Sequence, residues 1–342
     1  MRRTFISFLT LILFQSVFAQ NLTLSGYVRD SLNRETLIKA QVVGTTPNGK
    51  EFRSSTNSYG FFSLMLPTGP IKITVSAAAH EVFAESFEIS QNIERNYYLA
   101  PESDQMRSIQ IKARKNDNVK SLDISTQNIS GQTIKKIPAL LGEADVIKSI
   151  QLLPGVTTVG EGASGFNVRG GSIDQNLVLM DEAPIFNSAH LFGFFSIFNP
   201  DAVKDVELVK GGIPANYGGR LSSTLDVKTR DGNKRQNQAN GGIGTIFSRF
   251  TIEGPLTKPN PKELRKPLPT PAKSSFIVSG RRSYIDLLAK PFLPENLSGS
   301  QFYFYDLTAK ANYSYKRDNI FISTYIGDDV FKAAGLFGVK WG

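Results

Sequence analysis

Apolar and polar positions change their spacing along this chain, and each change predicts a different kind of structure. Between Asn21 and about Pro101, short apolar runs return roughly every eight to twelve residues: "LTLSGYVRD", "IKAQVVG", "KEFRSSTN", "YGFFSLMLP", "PIKITVSA", "EVFAESFEIS" and "ERNYYLA". Turn formers separate them, among them Asn33, Pro47-Asn48-Gly49, Asn57-Ser58 and Thr68-Gly69-Pro70. Regular short strands with turn residues between them predict a small β-sandwich.

From Asp104 to Lys136 the pattern fades into a polar, basic stretch that reads as a tether. One alternation interrupts it, "RSIQIKAR", which puts Ile109 and Ile111 on one side of an extended segment. By itself this run fits a last edge strand of the sandwich as well as a free recognition strand. Between Ile137 and Arg230 helical and strand spacings mix. "GEADVIKSIQLLPGV" predicts a short helix stopped by Pro154-Gly155, and "NLVLMDE" and "STLDVKTR" predict strands. "NPDAVKDVELVKGG" predicts a helix capped by Asn199, with Pro200 in its first position, that runs into a strand.

After Gly241 the spacing becomes two. In "FYFYDLTAKANYSYK" one face carries Tyr303, Tyr305, Leu307, Ala309, Ala311, Tyr313 and Tyr315. The other carries Phe304, Asp306, Thr308, Lys310, Asn312, Ser314 and Lys316. A face that is apolar in the middle and ringed by tyrosine at both ends suits lipid, because tyrosine favours the two membrane interfaces. "IFISTYIGDD" repeats the alternation through Ile320, Ile322 and Ile326, and "GTIFSRFTIEG" and "SSFIVSGRR" are weaker examples. These strands are expected to begin a transmembrane antiparallel β-barrel. An ordinary soluble sheet is the alternative.

Composition narrows the chemistry. The chain has no cysteine and two histidines, which excludes disulfides, thiolate catalysis and cysteine metal sites and makes a paired-histidine metal site improbable. The net charge of +9 is spread along the chain rather than gathered into a stripe with aromatics, so nucleic acid is not an expected partner. The start, "MRRTFISFLTLILFQSVFAQ", joins Arg2 and Arg3 to an apolar run and ends in Val17-Phe18-Ala19. It predicts a secretory signal peptide over residues 1–19, and the apolar run is too short to anchor the chain in a bilayer.

Two motifs suggest enzymes and do not carry them. Residues Gly160 to Gly165 spell G-x-G-x-x-G, but "FNVRGGS" follows, where a dinucleotide site needs a helix. Asp181 and Glu182 are adjacent at a strand end, so they would point to opposite faces and could not share one substrate; a strand-to-turn transition before Pro184 explains them. No catalytic residue, metal ligand or cofactor is expected, and a hydrolase would lack its clustered nucleophile and base.

Longer stretches carry family resemblances. "SGYVRDSLNRETLIKAQV" followed by "TNSYGFFSLMLPTGPIKITVSAAAHE" resembles the carboxypeptidase-regulatory-like domain, which implies a seven-stranded transthyretin-like module without peptidase activity. "LLPGV", "FNVRGG", "NLVLMDEAPIF" and "DAVKDVELVKGGIPANYGGRLSSTLDVKTR", in that order, resemble the plug domain of TonB-dependent outer-membrane receptors of the Bacteroidetes type. The expected division is therefore a signal peptide at 1–19, a sandwich at 20–102, a linker at 103–136, an α+β plug at 137–232 and the first barrel strands at 233–342. About a hundred residues leave room for roughly six strands, too few to close a barrel of about 22, so the chain is expected to be the N-terminal part of a receptor or a truncated gene product.

The resemblance also assigns roles. "RSIQIKAR" occupies the place of the TonB box, with Ser108, Ile109, Gln110, Ile111 and Lys112 at its centre. Arg169 corresponds to a plug arginine that pairs with barrel carboxylates beyond Gly342, and the family's second plug arginine falls at Lys210, which loses the bidentate fork. In "IFNSAHLFGFFSIFNP", Phe186, Asn187, His190 and Phe192 either pack in the core or face a ligand chamber. The implied function is TonB-energised uptake across the outer membrane of a scarce nutrient, a ferric siderophore, cobalamin or similar chelate. TonB with its inner-membrane energising complex, outer-membrane lipid and a small chelate or oligomeric nutrient would be the partners. The competing reading is a soluble periplasmic binding or adaptor module built of sandwich and plug-like domain.

Overall fold

The computed structural model describes residues 22–102, 125–137, 144–160, 163–244, 246–257, 272–315, 318–333 and 337–341. The expected signal peptide and the Ser108–Lys112 segment lie outside the described residues. The chain divides into two compact units, one essentially residues up to 102 and the other essentially the remainder.

The first unit is a sandwich of two small sheets. One has the order β4-β1-β7, with β8 also on β1: β1 is Leu22–Asp30, β4 Phe61–Leu66, β7 Ile93–Glu94 and β8 Tyr97–Leu99. The other has the order β3-β2-β5-β6, with β2 at Gln41–Thr45, β3 at Glu51–Ser55, β5 at Gly69–Ser76 and β6 at Phe83–Ile89. Strict alternation along β1 buries Leu22, Leu24 and Val28 against Phe62, Leu64, Ile73 and Val75. The last apolar run forms two short strands instead of one, because the chain breaks at Arg95-Asn96. Asn96 Oδ1 accepts the Tyr27 amide and the Arg95 amide donates to Ser25 O. Gly26 permits this approach: a Cβ there would lie 2.0 Å from Arg95 O.

The second unit contains a central α/β domain and a strand wall. The central sheet has the order β13-β12-β17-β16-β9, with β9 at Thr126–Ser130, β12 at Asn176–Met180, β13 at Ala183–Pro184, β16 at Val203–Val209 and β17 at Ser223–Thr229. The β12–β17 pair is parallel and the other pairs are antiparallel. Helices α1 (Gly131–Lys136) and α2 (Val146–Gln151) place Ile134, Val146, Ile147 and Ile150 on the core built by Val178, Val206, Leu208, Leu225 and Val227. Two hairpins complete the domain: β10 (Val156–Thr158) with β11 (Phe166–Val168), and β14 (Ala189–His190) with β15 (Phe195–Ser196).

Two local expectations are corrected here. Thr126–Lys136 is not tether: β9 pairs with β16, and Ser130 caps α1 by accepting the Thr133 amide. This edge strand is half-exposed, so its sequence shows no apolar period. The helix expected after Asn199 is one turn only. Asn199 Oδ1 accepts the Asp201 amide and Asn199 O the Ala202 amide. From Val203 the chain is a strand: Val206 and Leu208 face the core two residues apart, a register shift between Val203 and Asp205 lets Val203 join them, and β17 and β9 take up its backbone groups.

The wall is a six-stranded antiparallel sheet in sequence order: β18 (Gln238–Ile243), β19 (Phe247–Pro255), β20 (Ser274–Ser283), β21 (Gln301–Tyr315), β22 (Asp318–Ala333) and β23 (Phe337–Trp341). Helix α3 (Ile285–Ala289) lies in the β20–β21 connection. The alternation expected in β21 is realised. Phe304, Asp306, Thr308, Lys310 and Asn312 are buried towards the central domain, and Tyr305, Leu307, Tyr313 and Tyr315 are exposed on the other face. Ile320, Ile322 and Ile326 of β22 share that outward face, Ile322 at 75% exposure. No described helix is long and apolar enough to cross a membrane.

Candidate functional site

The candidate site is the contact between the central domain and the inner face of the wall. It begins at the strand end that holds two carboxylates in sequence. β12 delivers Asp181 and Glu182 into a turn in which both have positive φ, 47° and 73°. Asp181 is turned inward and Glu182 outward. The Asp181 carboxylate accepts the Thr229 amide at 2.9 Å and the Thr229 hydroxyl, and receives the Lys310 ammonium of β21 at 3.2 Å. Lys310 also donates to Thr229 O at 3.0 Å and lies 3.4 Å from Asp231. Glu182 pairs with Lys228 on the exposed side.

Further ties, charged and polar, join the domain to the wall. Arg230 grips Glu253 of β19 with both contacts at 2.9 Å. Arg249 of β19 holds Asp201 at 2.9 Å, and Asn199 donates to Ser279 of β20 at 2.8 Å. Gly232, with φ of 82°, leaves the domain pressed against β20: a Cβ there would lie 2.2 Å from Phe276 O.

His190 stands in the densest of these ties. Its Nδ1 is 2.9 Å from Asp329 of β22 and its Nε2 is 3.2 Å from Asp306 of β21. The Leu191 amide donates to the second Asp329 oxygen at 2.8 Å, and Arg281 of β20 binds Asp306 at 2.6 Å while donating to Ser196 O. Phe304 stacks on the imidazole at 4.3 Å. Burial pulls the His190 pKa down, but the hydrogen bonds to Asp306 and Asp329 outweigh it and the net shift is upward. Nδ1 faces Asp329, while Nε2 lies between Asp306 and the Tyr325 hydroxyl, the latter at 3.1 Å. His190 is therefore a seating residue buried at 2% exposure, and the alternative of a ligand-chamber residue is corrected by that burial.

Arg169 and Lys210, expected to pair with carboxylates beyond Gly342, lie at turns within the domain. Arg169, with φ of 49°, donates to the Ser125 hydroxyl at 2.8 Å, and Gly211 leaves room for its guanidinium. Lys210 donates to Pro154 O at 2.7 Å. Burial and then the Arg169 charge lower the Lys210 pKa. Among the described residues neither cation forms an ion pair with a carboxylate. They brace the turns at Pro154-Gly155 and Gly211-Gly212 within the domain.

A cavity of about 680 Å³ opens on the same domain, lined by Phe166, Asn167, Ile173, Asp174, Phe186 and Arg220 among others. Phe186 stands at it with 90% exposure, whereas Asn187 spends its side-chain oxygen on the Ala189 amide. The Phe192 side chain lies outside the described residues. Sequence reasoning missed Asp181, Arg230, Glu253, Arg281, Asp306, Lys310 and Asp329. Their signal was present for the wall residues: each is a charged position on the inner set of an alternating strand.

A folded domain seated by polar and charged pairs on the polar face of an antiparallel wall, whose other face is apolar, is a plug-and-wall arrangement. Residues 118–223 match the family model of the TonB-dependent Receptor Plug Domain. The solved structures it resembles include a mutant ferric enterobactin receptor (PfeA) from Pseudomonas aeruginosa, at 15% identity and a TM-score of 0.41, over 64% of this chain and 34% of that one. The siderophore receptor PirA from Acinetobacter baumannii aligns at 14% identity and a TM-score of 0.42, over 66% of this chain and 34% of that one. The copper transporter OprC aligns at 13% identity and a TM-score of 0.41, over 62% of this chain and 32% of that one. This chain thus spans about a third of the length of these receptors. No curated protein matches it.

Proposed function

We propose that this chain belongs to an outer-membrane receptor that takes up a scarce nutrient with energy from TonB, the plug gating the lumen of the barrel. The observation that carries the reading is the wall's two-sidedness: Tyr305, Leu307, Ile322 and Ile326 are exposed on one face, and Asp306, Lys310 and Asp329 are buried against the plug on the other. Lipid suits the first face, and a plug that must move suits the second, because charge pairs can break and reform in water where an apolar seal cannot. The cargo class is a metal chelate such as a ferric siderophore or cobalamin, and the cavity beside Phe186 and Arg220 offers aromatic and cationic groups for it. The protein is a transporter rather than an enzyme.

In this reading Ser108–Lys112 engages TonB by strand addition, main-chain hydrogen bonds to an exposed sheet edge supplying the grip. The sandwich lies in the periplasm. Proline at Ile109 or Ile111 removes a backbone donor, so uptake should stop while ligand binding survives. Loss of binding together with uptake would remove the TonB-box assignment. The soluble adaptor reading is tested by fractionating the full-length protein: a receptor goes to the outer membrane and migrates differently after heating, and an adaptor stays in the periplasmic extract.

A further inference from the structure

The sandwich holds its last strand between two neighbours. β8 runs parallel to β1, with Tyr98 opposite Arg29 and Leu99 opposite Asp30, and the Ser31 amide donates to Leu99 O at 2.8 Å. Just after β8 the chain meets the connection from β5 to β6. The Glu81 amide donates to Ala100 O at 2.8 Å, the Glu102 amide donates to Ala79 O at 3.0 Å, and His80 bridges Pro101. The stretch from Leu99 to Glu102 is therefore clasped by β1 and by this loop before the chain leaves the sandwich. The loop is costly to hold in shape, because Ala79 has a φ of 58°, in the left-handed region that a side chain disfavours.

One side-chain contact closes the clasp. His80 Nε2 lies 3.1 Å from Asp30 Oδ2, which ties the loop to the end of β1. The other ring nitrogen, Nδ1, lies 2.7 Å from Ala78 O. A backbone carbonyl and a carboxylate oxygen only accept, so both ring nitrogens donate and the imidazole carries two protons. Both side chains are 6% exposed, so little water can replace a lost partner. Withdrawing a proton sets a ring lone pair against an oxygen lone pair inside the clasp. The other charged groups on the packed segments are Glu81 and Glu102, both exposed, and Arg29, whose guanidinium stacks on the Tyr27 ring at 5.1 Å. Carboxylates and guanidinium groups titrate well outside the neutral range, which leaves the imidazole as the group whose charge changes there.

We propose that Asp30 and His80 form a proton-dependent latch at the exit of the sandwich, closed while the imidazole is charged and released when it loses a proton. Release frees Ala100–Glu102 from Ala79–Glu81, while β8 stays on β1 through its buried Tyr97 and Leu99. The latch thus sets whether these last residues belong to the folded sandwich or to the segment that follows it. It concerns the sandwich alone and does not depend on the receptor reading.

The test is hydrogen exchange of the full-length protein, scanned from about pH 5.5 to about pH 8.5 and divided by the intrinsic rate at each pH. Protection of the Glu81 and Glu102 amides should fall about tenfold from the acid to the alkaline end, the factor that one unit of pKa difference supplies. Protection in β2 and β5, which carry the sandwich core, should stay constant. Asp30→Asn should abolish the dependence, because a side-chain amide can accept from a charged imidazole or donate to a neutral one. His80→Gln should abolish it as well. A flat wild-type profile would overturn the latch, and so would a fall that persists in either variant. If His80→Gln also loses protection in β2 and β5, the wild-type and Asp30→Asn profiles decide alone.

Discussion

Lys310→Met tests how the plug is seated. The substitution keeps the side-chain length and removes the charge from a position 6% exposed. Asp181 loses a donor at 3.2 Å and Asp231 a cation at 3.4 Å, and Thr229 O loses its bond at 3.0 Å. Stripping one partner from a buried ion pair costs about 3–5 kcal/mol. The low end applies here, because Asp181 keeps both Thr229 donors and Asp231 keeps Lys204 at 3.6 Å. About 3 kcal/mol corresponds to roughly a hundredfold rise in the open plug population. Hydrogen exchange of the Asn176–Met180 amides in the full-length receptor reads this as about a hundredfold faster opening. In the cycle with Asp181→Asn, the double variant should be less damaged than the sum of the singles by about 1 kcal/mol or more. Strict additivity, or unchanged exchange in Lys310→Met, would refute the assignment of Lys310 as the cation that seats the Asp181 turn.

Three other outcomes follow from the same geometry. His190 has its pKa raised in the folded protein, so its contribution is complete below the unfolded value of about 6.5 and is lost as pH rises through the folded value; exchange around Ala189–Ser196 should accelerate over that alkaline rise and not on acidification to pH 6, and His190→Gln should flatten the dependence. Gly232→Val combines a left-handed backbone with a contact 2.2 Å from Phe276 O, so it should cost more than about 3 kcal/mol and reduce the yield of heat-modifiable receptor; a normal yield would show that the plug exit is not pressed on β20. Gly26→Ala should part β1 from β7 in the sandwich, which limited proteolysis near Arg95 would report, while hydrogen exchange in the plug stays unchanged.

Sequence periodicity located what local physics controls. Strand alternation in the first hundred residues and in β21 and β22 was legible because one face is buried and the other is not, and the side-chain period of two records this directly. The Val146–Gln151 helix was legible from its spacing and its stop at Pro154-Gly155. The edge strand Thr126–Ser130 was not, because a half-exposed edge has no apolar period to show. The turn after Asn199 was misread as a helix because a capping asparagine serves an isolated turn equally well.

By itself the sequence determined where the regularly alternating strands are, which face of β21 is polar, and that a plug-like order of motifs precedes the wall. Only the tertiary structure decided which charges meet. Arg169 and Lys210, expected to pair with carboxylates beyond Gly342, bond Ser125 and Pro154 within the plug. Asp181, Arg230 and His190 instead reach Lys310, Glu253, Asp306 and Asp329, the last two more than a hundred residues beyond His190 in the chain. Alternation tells a strand which way its side chains point, but an ion pair needs two such directions to converge in space. That convergence is set by sheet register and by how the domain lies on the wall, neither of which any single stretch of chain encodes.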